Sequence, residues 1–227
     1  EAALIAMPDG MPSALVIERF DIRENGDDTR RLAMEDFCSI LGVPAEDKYK
    51  GTIERMARAL RALSTDPGDD IATLFARALF TWLVADGDMH LKNVAMLKIA
   101  APRSRAFESV RMAPLYDTLT TRVFPGLHDD HMALKLAGKD DRLRWTDFET
   151  CARTIDLPLR KARDIADHLL TALGHSLDTI TLPQLVRNTT PARDTAETVL
   201  DIVRTRQATR GPDLWSPRPG RRSARPR

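Results

Sequence analysis

The sequence is poor in the residues on which several specialised protein classes depend. Its 227 residues include two cysteines, Cys38 and Cys151, which are too few for a disulfide scaffold or a cysteine-built zinc site. Both lie in apolar helical patterns and are interpreted as small core residues, which fits a reducing, cytoplasmic location. No run approaches the roughly 18 consecutive apolar residues of a membrane-spanning helix, which excludes an integral membrane protein.

Closely spaced glycines and a starting methionine are also missing. The eleven glycines are scattered and the closest pairs are nine residues apart, which excludes a glycine-rich loop that cradles phosphates. Residue 1 is Glu, and no basic-then-apolar signal peptide follows it. Because residues 2–7 already have the pattern of a strand, we expect the chain to be a piece of a longer protein.

The composition is that of a globular protein with an uneven distribution of charge. Apolar residues make up 43% of the sequence and charged residues 30%. The net charge is +1, but residues 204–227 hold eight arginines and one aspartate, so the rest of the chain is mildly acidic. The end of this basic tail, 208–227, lacks apolar periodicity and is predicted to be disordered. It is interpreted as a solvated terminus, with contact to nucleic-acid phosphates as the alternative.

The apolar pattern predicts a short β-hairpin followed by a mostly helical body. Apolar runs at 2–7 and 14–20 flank a Pro–Asp–Gly turn signal, and the polar stretch at 21–30 is interpreted as a connector. A second, small hairpin is predicted from strands at 94–99 and 108–113, followed by a loop to about residue 128. Helices are predicted at about 32–41, 52–63, 69–85, from a capping box at Thr146–Glu149 onward, at 158–173 before Gly174, and at 192–205. The expected fold class is α+β, mainly α.

A polar segment, Asp86–Asn93, lies between the most apolar predicted helix and the strand that follows. Buried elements on both sides would hold such a loop rigidly, as a catalytic loop requires. Another acidic residue, Asp117, comes just after the partner strand, at the end of Pro114–Asp117. Because the hairpin pairs the two strands, we expect Asn93 and Asp117 to lie at the same end of it.

Asp88, Asn93 and Asp117 together have the chemistry that phosphoryl transfer needs. Mg²⁺ takes one or two oxygen ligands from protein side chains, and substrate phosphates and water supply the rest. Asp88, five residues before Asn93, can accept a proton from an attacking hydroxyl. The structural alternative is that Asp88 caps a helix and His90 lies on the surface. A metallophosphoesterase, which also uses Asp-x-His, is disfavoured because the other histidines form no matching motif.

The motifs together resemble those of the HipA-like serine/threonine kinases, the toxins of bacterial type II toxin–antitoxin pairs. Asp88–Asn93 resembles the catalytic loop of that family, and Pro114–Asp117 resembles its metal-binding motif. Val16–Asp21 is similar to the hinge between the two kinase lobes. Leu32–Cys38 and Lys48-Tyr49 also fit the family pattern. The resemblance extends over nearly the whole chain up to the basic tail.

The resemblance implies a role for each matching residue. Asp88 matches the catalytic base, and Asn93 and Asp117 match the magnesium ligands. The matches to the hinge, which holds adenine largely through backbone groups, are Glu18, Arg19 and Phe20. The matches to residues that line the nucleotide are His90, Leu91, Lys92, Asn93, Tyr116 and Asp117. Lys92 could offset phosphate charge, and His90 could brace the loop through hydrogen bonds.

The resemblance also implies an architecture and partners. Residues 1–20 would be the last strands of an N-terminal lobe and the hinge, 21–207 a kinase-like helical C-terminal lobe with a small inserted hairpin, and 208–227 the basic tail. Family members use ATP and Mg²⁺ to phosphorylate serine or threonine, with aminoacyl-tRNA synthetases among their targets. They commonly pair with a DNA-binding antitoxin, so DNA contact is expected through that complex or through the tail.

The departures from the family pattern limit what this chain alone is expected to do. The family has a phosphate-covering loop and a nucleotide-binding lysine ahead of the hinge, but no lysine precedes Lys48 here. We therefore expect these 227 residues to bind ATP weakly or not at all. Two functions stay open: the catalytic lobe of a protein kinase, or an inactive binding module that docks an antitoxin or DNA.

Overall fold

The computed structural model describes residues 2–26, 28–101, 106–127 and 131–209, and its core is built largely from helices. Small antiparallel sheets surround that core. This arrangement confirms the predicted α+β, mainly α class. The basic tail lies outside the described residues from position 210 onward. No helix in the described ranges has the length and apolar character needed to cross a bilayer.

The predicted N-terminal hairpin is confirmed. Strand β1 (Ala2–Ile5) pairs antiparallel with β2 (Ala14–Ile17). Asp9 and Gly10 both have positive φ, 58° and 72°, in the turn between them. Asp–Gly pairs favour this left-handed conformation in tight hairpins. Most residues of both strands are exposed, so the hairpin contributes little to the core.

The polar stretch after β2 forms a second hairpin, so its interpretation as a connector is wrong. Strand β3 (Ile22–Asn25) pairs with β4 (Asp28–Arg31), and Gly26 has a φ of 62° in the turn. The Leu32 amide donates to the Asp21 carbonyl at 2.7 Å and closes the base of the hairpin. Neither strand has an alternating apolar face, which is why sequence periodicity could not reveal them.

Only the last part of the first predicted helix is helical. Residues Ala33–Asp36 form strand β5, and helix α1 is limited to Phe37–Ile40. Strand β5 pairs antiparallel with β6 (Ala95–Ala100), and this pairing outweighs the helical periodicity. The Asp36 carboxylate accepts a hydrogen bond from the Ser39 amide (2.9 Å) and so begins the short helix.

The small hairpin predicted inside the helical body is confirmed as part of a three-stranded sheet. Strand β6 pairs antiparallel with β7 (Phe107–Met112), and β5 is the third strand. The Ala113 amide donates to the Ala95 carbonyl at 2.8 Å, which extends the pairing beyond β7. The sheet therefore brings the segment before β6 and the segment after β7 to one edge.

Two predicted helices form the centre of the molecule. Helix α2 (Ile53–Leu63) is capped by Thr52, whose hydroxyl accepts a hydrogen bond from the Arg55 amide at 3.1 Å. Helix α3 (Pro67–Leu83) has proline in its first turn and Asp66 as its N-cap. Most of its residues are buried, as its nearly continuous apolar composition predicted.

The chain after β7 contains a hairpin that was not predicted. Strand β8 (His131–Leu136) pairs with β9 (Lys139–Asp141) inside the body that the sequence predicts to be mostly helical. The helices that follow are α4 (Trp145–Thr154), α5 (Leu159–Thr179) and α6 (Thr190–Ala208). Helix α5 continues through Gly174, so the predicted end of that helix is wrong.

Helix α4 begins one residue before the predicted capping box. The Asp147 carboxylate accepts a hydrogen bond from the Arg144 amide at 2.8 Å, and the Asp147 amide donates to the Arg144 carbonyl at 2.9 Å. These two bonds close the helix end around Arg144. The predicted box at Thr146–Glu149 is therefore wrong, because Thr146 already lies within the first turn.

An aromatic cluster joins α3 to α4. Trp82 meets Trp145 edge to face, with ring centroids 5.4 Å apart, and lies 5.3 Å from Phe148. Phe75 meets Phe148 at 6.2 Å. All four side chains are buried, so this cluster belongs to the core. Both cysteines are buried in the same core, as predicted.

Candidate active site

Backbone hydrogen bonds hold the polar loop Asp86–Asn93 on both sides. At its start, the Asp86 amide donates to the Thr81 carbonyl near the end of α3 (2.8 Å). At its end, the Phe37 amide lies 3.0 Å from the carbonyls of both Leu91 and Val94. The loop is therefore anchored to α3 and to the start of α1, as the predicted rigidity requires.

Four neighbours hold Asp88, and one of them is His90, whose amide donates to the Asp88 carbonyl at 2.7 Å. The Tyr49 hydroxyl donates to Oδ1 of Asp88 at 2.6 Å. The Asp88 amide donates to Oδ1 of Asp86 at 2.9 Å, and Nδ2 of Asn93 donates to the Asp88 carbonyl at 3.1 Å. Within the described part of the chain, Oδ2 of Asp88 receives no hydrogen bond. The carboxylate is thus oriented through one oxygen while the other can accept a proton.

Asp86 is a buried support for Asp88. Its side chain is 1% exposed, and burial raises the pKa of its carboxyl to about 6. The charges of Asp88 and Asp117 also raise that pKa, while backbone amides of Asp88 and Leu119 lower it. This placement is that of a structural residue.

Asp86→Asn should flatten the pH dependence of stability. The folded protein binds this proton more tightly than the unfolded chain, whose ordinary pKa is 3.8, so stability falls as pH rises through about 4 to 6. The group then makes the wild type about 1 to 2 kcal/mol more stable at pH 5 than at pH 7.5. Urea unfolding at pH 5 and at pH 7.5 should show this difference in the free energy of unfolding only in the wild type. An equal pH dependence in both proteins would contradict the burial of a titrating carboxyl.

Gly87→Ala should destabilise the loop by about 1 to 3 kcal/mol. A Cβ at this position would lie 2.9 Å from Oγ1 of Thr121 and 3.1 Å from the His131 carbonyl. The Gly87 amide also donates to that Thr121 oxygen at 2.9 Å, so the neighbour is held in place. Denaturant unfolding measures the loss. Gly68→Ala is the matched control, because its Cβ would meet no atom closer than 4.0 Å, and it should not destabilise the protein.

The segments that carry Asn93 and Asp117 lie next to each other at one end of the hairpin, as predicted. The Tyr116 hydroxyl donates to the Lys92 carbonyl at 2.7 Å, which ties the segment after β7 to the residue before Asn93. Because Nδ2 of the buried Asn93 is used by Asp88, its side-chain oxygen is left as an acceptor. Asp117 is exposed, with a φ of 54°. An amide oxygen and a carboxylate are suitable protein ligands for Mg²⁺.

A cavity of about 770 Å³, here called the hinge cavity, lies beside the N-terminal hairpin. The predicted nucleotide-binding residues that line it are Glu18, Arg19, Phe20, Lys92, Tyr116 and Asp117. The rings of Phe20 and Tyr116 lie 5.7 Å apart. Arg19 pairs with the buried Asp21 carboxylate at 2.6 Å, and this hydrogen bond lowers the pKa of Asp21. The structure thus brings the predicted hinge and the Tyr–Asp motif to one cavity.

A separate cavity of about 410 Å³, here called the Asp88 cavity, opens beside the proposed base. It is lined by Tyr49, Gly87, Asp88, Leu119, Thr121, Phe124, Leu127 and His131. The described residues lining it include none of those that line the hinge cavity. Asp88 therefore faces one cavity, and six of the predicted nucleotide-binding residues line another, whereas Asn93 is buried and lines neither.

His90 and Leu91 lie outside the hinge cavity. Leu91 is fully buried in the core. His90 is buried and packs edge-on against Tyr49, with ring centroids 5.1 Å apart. Its backbone braces the loop: the amide donates to the Asp88 carbonyl (2.7 Å), and the carbonyl accepts from the Asn93 amide (2.9 Å). Burial, and then the charge of nearby Lys48, lower the pKa of His90.

Lys92 lines the hinge cavity and forms an ion pair with Asp36. Its Nζ lies 3.0 Å from Oδ2 of Asp36, and this hydrogen bond raises the pKa of Lys92. Partial burial opposes ionisation of Asp36, but hydrogen bonds from Ser39 and Lys92 outweigh it and leave the pKa of Asp36 lowered. A phosphate in the cavity would therefore compete with Asp36 for the Lys92 charge.

Sequence reasoning did not identify Tyr49 as a site residue. Tyr49 lies 39 positions before Asp88 and reaches it because the Leu91 amide donates to the Lys48 carbonyl at 3.1 Å. The hydrogen bond to Asp88, and then burial, raise the pKa of Tyr49 to about 12, so its hydroxyl stays a donor at neutral pH. The similarity of Lys48-Tyr49 to the family pattern was the available signal.

Comparisons in sequence agree with the predicted resemblance. A family model described as HipA-like C-terminal domain matches residues 1–177. Two proteins of Sinorhizobium fredii (strain NBRC 101917 / NGR234), both named as candidate kinases, are similar to the chain. Y4mE is 33% identical over 176 residues, which are 72% of this chain and 40% of Y4mE. Y4dM is 33% identical over 124 residues, which are 52% of this chain and 27% of Y4dM.

Comparison in structure gives the same fold. A chain from the Shewanella oneidensis MR-1 toxin–antitoxin complex of HipA, HipB and operator DNA matches with a TM-score of 0.71. The match covers 91% of this chain and 50% of that chain, at 17% sequence identity. The chain described here thus spans half or less of the length of each of these relatives.

Proposed function

Because the chain belongs to the HipA-like C-terminal domain family, we propose that it is the catalytic lobe of an ATP- and Mg²⁺-dependent serine/threonine protein kinase. The observation that carries this proposal is the division of the site into two cavities. Candidate nucleotide-binding residues line the hinge cavity, and Asp88 lines the other. Phosphoryl transfer brings two substrates together at adjacent positions, with the base on the side of the acceptor, and two neighbouring cavities suit this arrangement.

In the proposed reaction Asp88 is the general base. The oxygen of a serine or threonine hydroxyl forms a bond to the γ-phosphorus of ATP, and the bond from that phosphorus to the β,γ-bridging oxygen breaks, so that ADP leaves. The hydroxyl proton passes to the Asp88 carboxylate. Tyr49 and Asp86 hold the side chain and the backbone of Asp88, so the base is oriented before the acceptor arrives.

Asn93 and Asp117 are the residues that would hold Mg²⁺. The ion, when bound, neutralises charge on the phosphates. Within the part of the chain that the structure describes, no three His, Cys, Asp or Glu side chains form a metal-binding group. Two protein ligands suit Mg²⁺ in a nucleotide site, because phosphate oxygens and water complete its shell.

The adenine is proposed to bind in the hinge cavity against the backbone of Glu18, Arg19 and Phe20. The exposed side chains of Met34 and Leu115 line the same cavity and offer apolar contact to a flat base. His90 and Leu91 are buried, and their proposed role is to fix the loop rather than to touch the nucleotide.

The proposed partners follow from the family. The substrate would be a protein, with an aminoacyl-tRNA synthetase as the candidate, and the partner a DNA-binding antitoxin. The Shewanella structure, which contains HipA, HipB and operator DNA, supports an antitoxin partner. Contact with DNA would occur through that complex or through the arginines of the basic tail.

Calorimetric titration with Mg-ATP tests the proposal on this chain and on the longest natural polypeptide that contains it. We expect binding by the longer polypeptide and little or none by these 227 residues, which have no glycine-rich phosphate loop. Tight binding by the 227 residues alone would contradict a site shared between two lobes. Absence of binding by both would contradict the kinase proposal and favour the binding module.

A further inference from the structure

We infer that the acceptor segment carries a bulky apolar residue beside the hydroxyl-bearing one, and that this residue binds Leu119, Phe124 and Leu127 in the Asp88 cavity. The inference rests on the proposed function and specifies the substrate class of the same site. Its starting observation is that three apolar side chains and the proposed base line one cavity.

The apolar side of the cavity is accessible to a partner. Leu119, Phe124 and Leu127 are 37%, 45% and 50% exposed. Single exposed apolar residues are ordinary on protein surfaces. Here three of them line the same space as a carboxylate, which is the arrangement of a specificity pocket: apolar walls with a few polar groups that fix orientation.

The apolar wall is fixed relative to the base. The Thr121 amide donates to the Ala85 carbonyl at 3.0 Å, at the start of the catalytic loop. The Phe124 amide donates to the Thr121 carbonyl (3.0 Å), and the Leu127 amide to the Phe124 carbonyl (3.1 Å). This chain of turns ties the wall to the loop that carries Asp88, so a side chain on the wall and a hydroxyl at the base would be bound at a set separation.

The Tyr49 hydroxyl shows that a hydroxyl group can bind the Asp88 carboxylate inside this cavity. The Tyr49 hydroxyl lies 2.6 Å from the Asp88 carboxylate within it. Tyr49 thus marks the position of a donor on Oδ1, and an acceptor hydroxyl would use Oδ2.

In the part of the Asp88 cavity that the structure describes, no lysine or arginine favours an acidic residue next to the acceptor hydroxyl. Among the described residues that line the Asp88 cavity there is no lysine and no arginine. Asp88 is the lining carboxylate, and its proposed partner is the reacting hydroxyl itself. The described polar side chains other than Asp88 in this lining are Tyr49, Thr121 and His131, so apolar contact with the wall is the main source of selectivity. Burying one such side chain changes kcat/KM by about 10- to 100-fold.

A degenerate serine-centred peptide library tests the inference on the longest natural polypeptide that contains this chain, with Mg-ATP. The wild type should select Leu, Ile, Met or Phe within two positions of the serine by about 10-fold or more over Ala. Leu127→Glu should lose that preference and select Lys or Arg there instead. Leu185→Glu is the matched control, since Leu185 is similarly exposed (47%) and does not line either cavity, and it should keep the apolar preference.

The possible failures are distinguishable. Phosphorylation of the library without apolar selection, or an apolar preference unchanged by Leu127→Glu, would overturn the inference and leave the kinase proposal standing. No phosphate transfer by a wild type that binds Mg-ATP would overturn the kinase proposal and the inference together. The wild-type selection is decisive by itself if the Leu127 variant does not fold.

Discussion

Asp88→Asn is expected to lower the rate of phosphoryl transfer about 10²- to 10⁴-fold in the longest natural polypeptide, the range that a general base contributes. The amide cannot take the proton of the acceptor hydroxyl. Its oxygen can still accept the hydrogen bond from Tyr49, and its backbone keeps the bonds to Asp86 and Asn93, so the fold should persist. Transfer of radiolabelled γ-phosphate to protein measures the effect.

The control separates the chemical role of Asp88 from a structural one. Asp178→Asn changes an exposed aspartate on α5, away from both cavities, and should leave transfer unchanged. Binding of Mg-ATP and of any protein partner should be nearly the same in Asp88→Asn and the wild type. Equal loss of transfer and of partner binding would show that Asp88 is structural.

Asp117→Asn is expected to raise the Mg²⁺ concentration needed for half-maximal transfer by 100-fold or more. Loss of a group that only hydrogen-bonds to a metal ligand already costs about 10- to 100-fold in metal affinity, and Asp117 is proposed to touch the ion directly. The substitution removes the charge but suits the backbone, because Asn tolerates the positive φ of 54° at this position. A Mg²⁺ titration of phosphate transfer at fixed ATP gives the measurement.

A second aspartate with positive φ controls for backbone strain. Asp9, in the turn between β1 and β2, has a φ of 58° and does not line the hinge cavity. Asp9→Asn should leave the Mg²⁺ requirement unchanged. If Asp117→Asn also leaves it unchanged, Asp117 is not a metal ligand and the proposed metal site is wrong.

The elements with strong local patterns were predictable from the sequence. Helix α3 has a nearly continuous apolar composition with acidic residues at its start, and β1–β2 has apolar runs around an Asp–Gly turn, so both were found. Strand β5 was mistaken for helix because its partner, β6, is about 60 residues away and leaves no local signal. The hairpin β3–β4 was missed because strand pairing, rather than a periodic apolar face, holds it. Strand β8 does alternate, with Met132, Leu134 and Leu136 buried on one face, and this signal was overlooked.

The candidate site was predictable where its residues are adjacent in sequence. Asp88, Asn93 and Asp117 were named from a polar loop and a hairpin, and the structure places them around that loop. Tyr49 and Asp36 come from other elements and are brought to the loop by backbone contacts that no spacing rule describes. The burial that raises the pKa of Asp86 likewise depends on packing from several segments.

A crystal structure of the longest natural polypeptide with Mg²⁺ and a non-hydrolysable ATP analogue tests the central claim most directly. We predict adenine in the hinge cavity against Glu18–Phe20, and Mg²⁺ about 2.1 Å from oxygens of Asn93 and Asp117. Asp88 should have no contact with the metal and should face the Asp88 cavity. A nucleotide bound elsewhere, or a metal held by Asp88, would contradict the division of the site into a nucleotide side and an acceptor side.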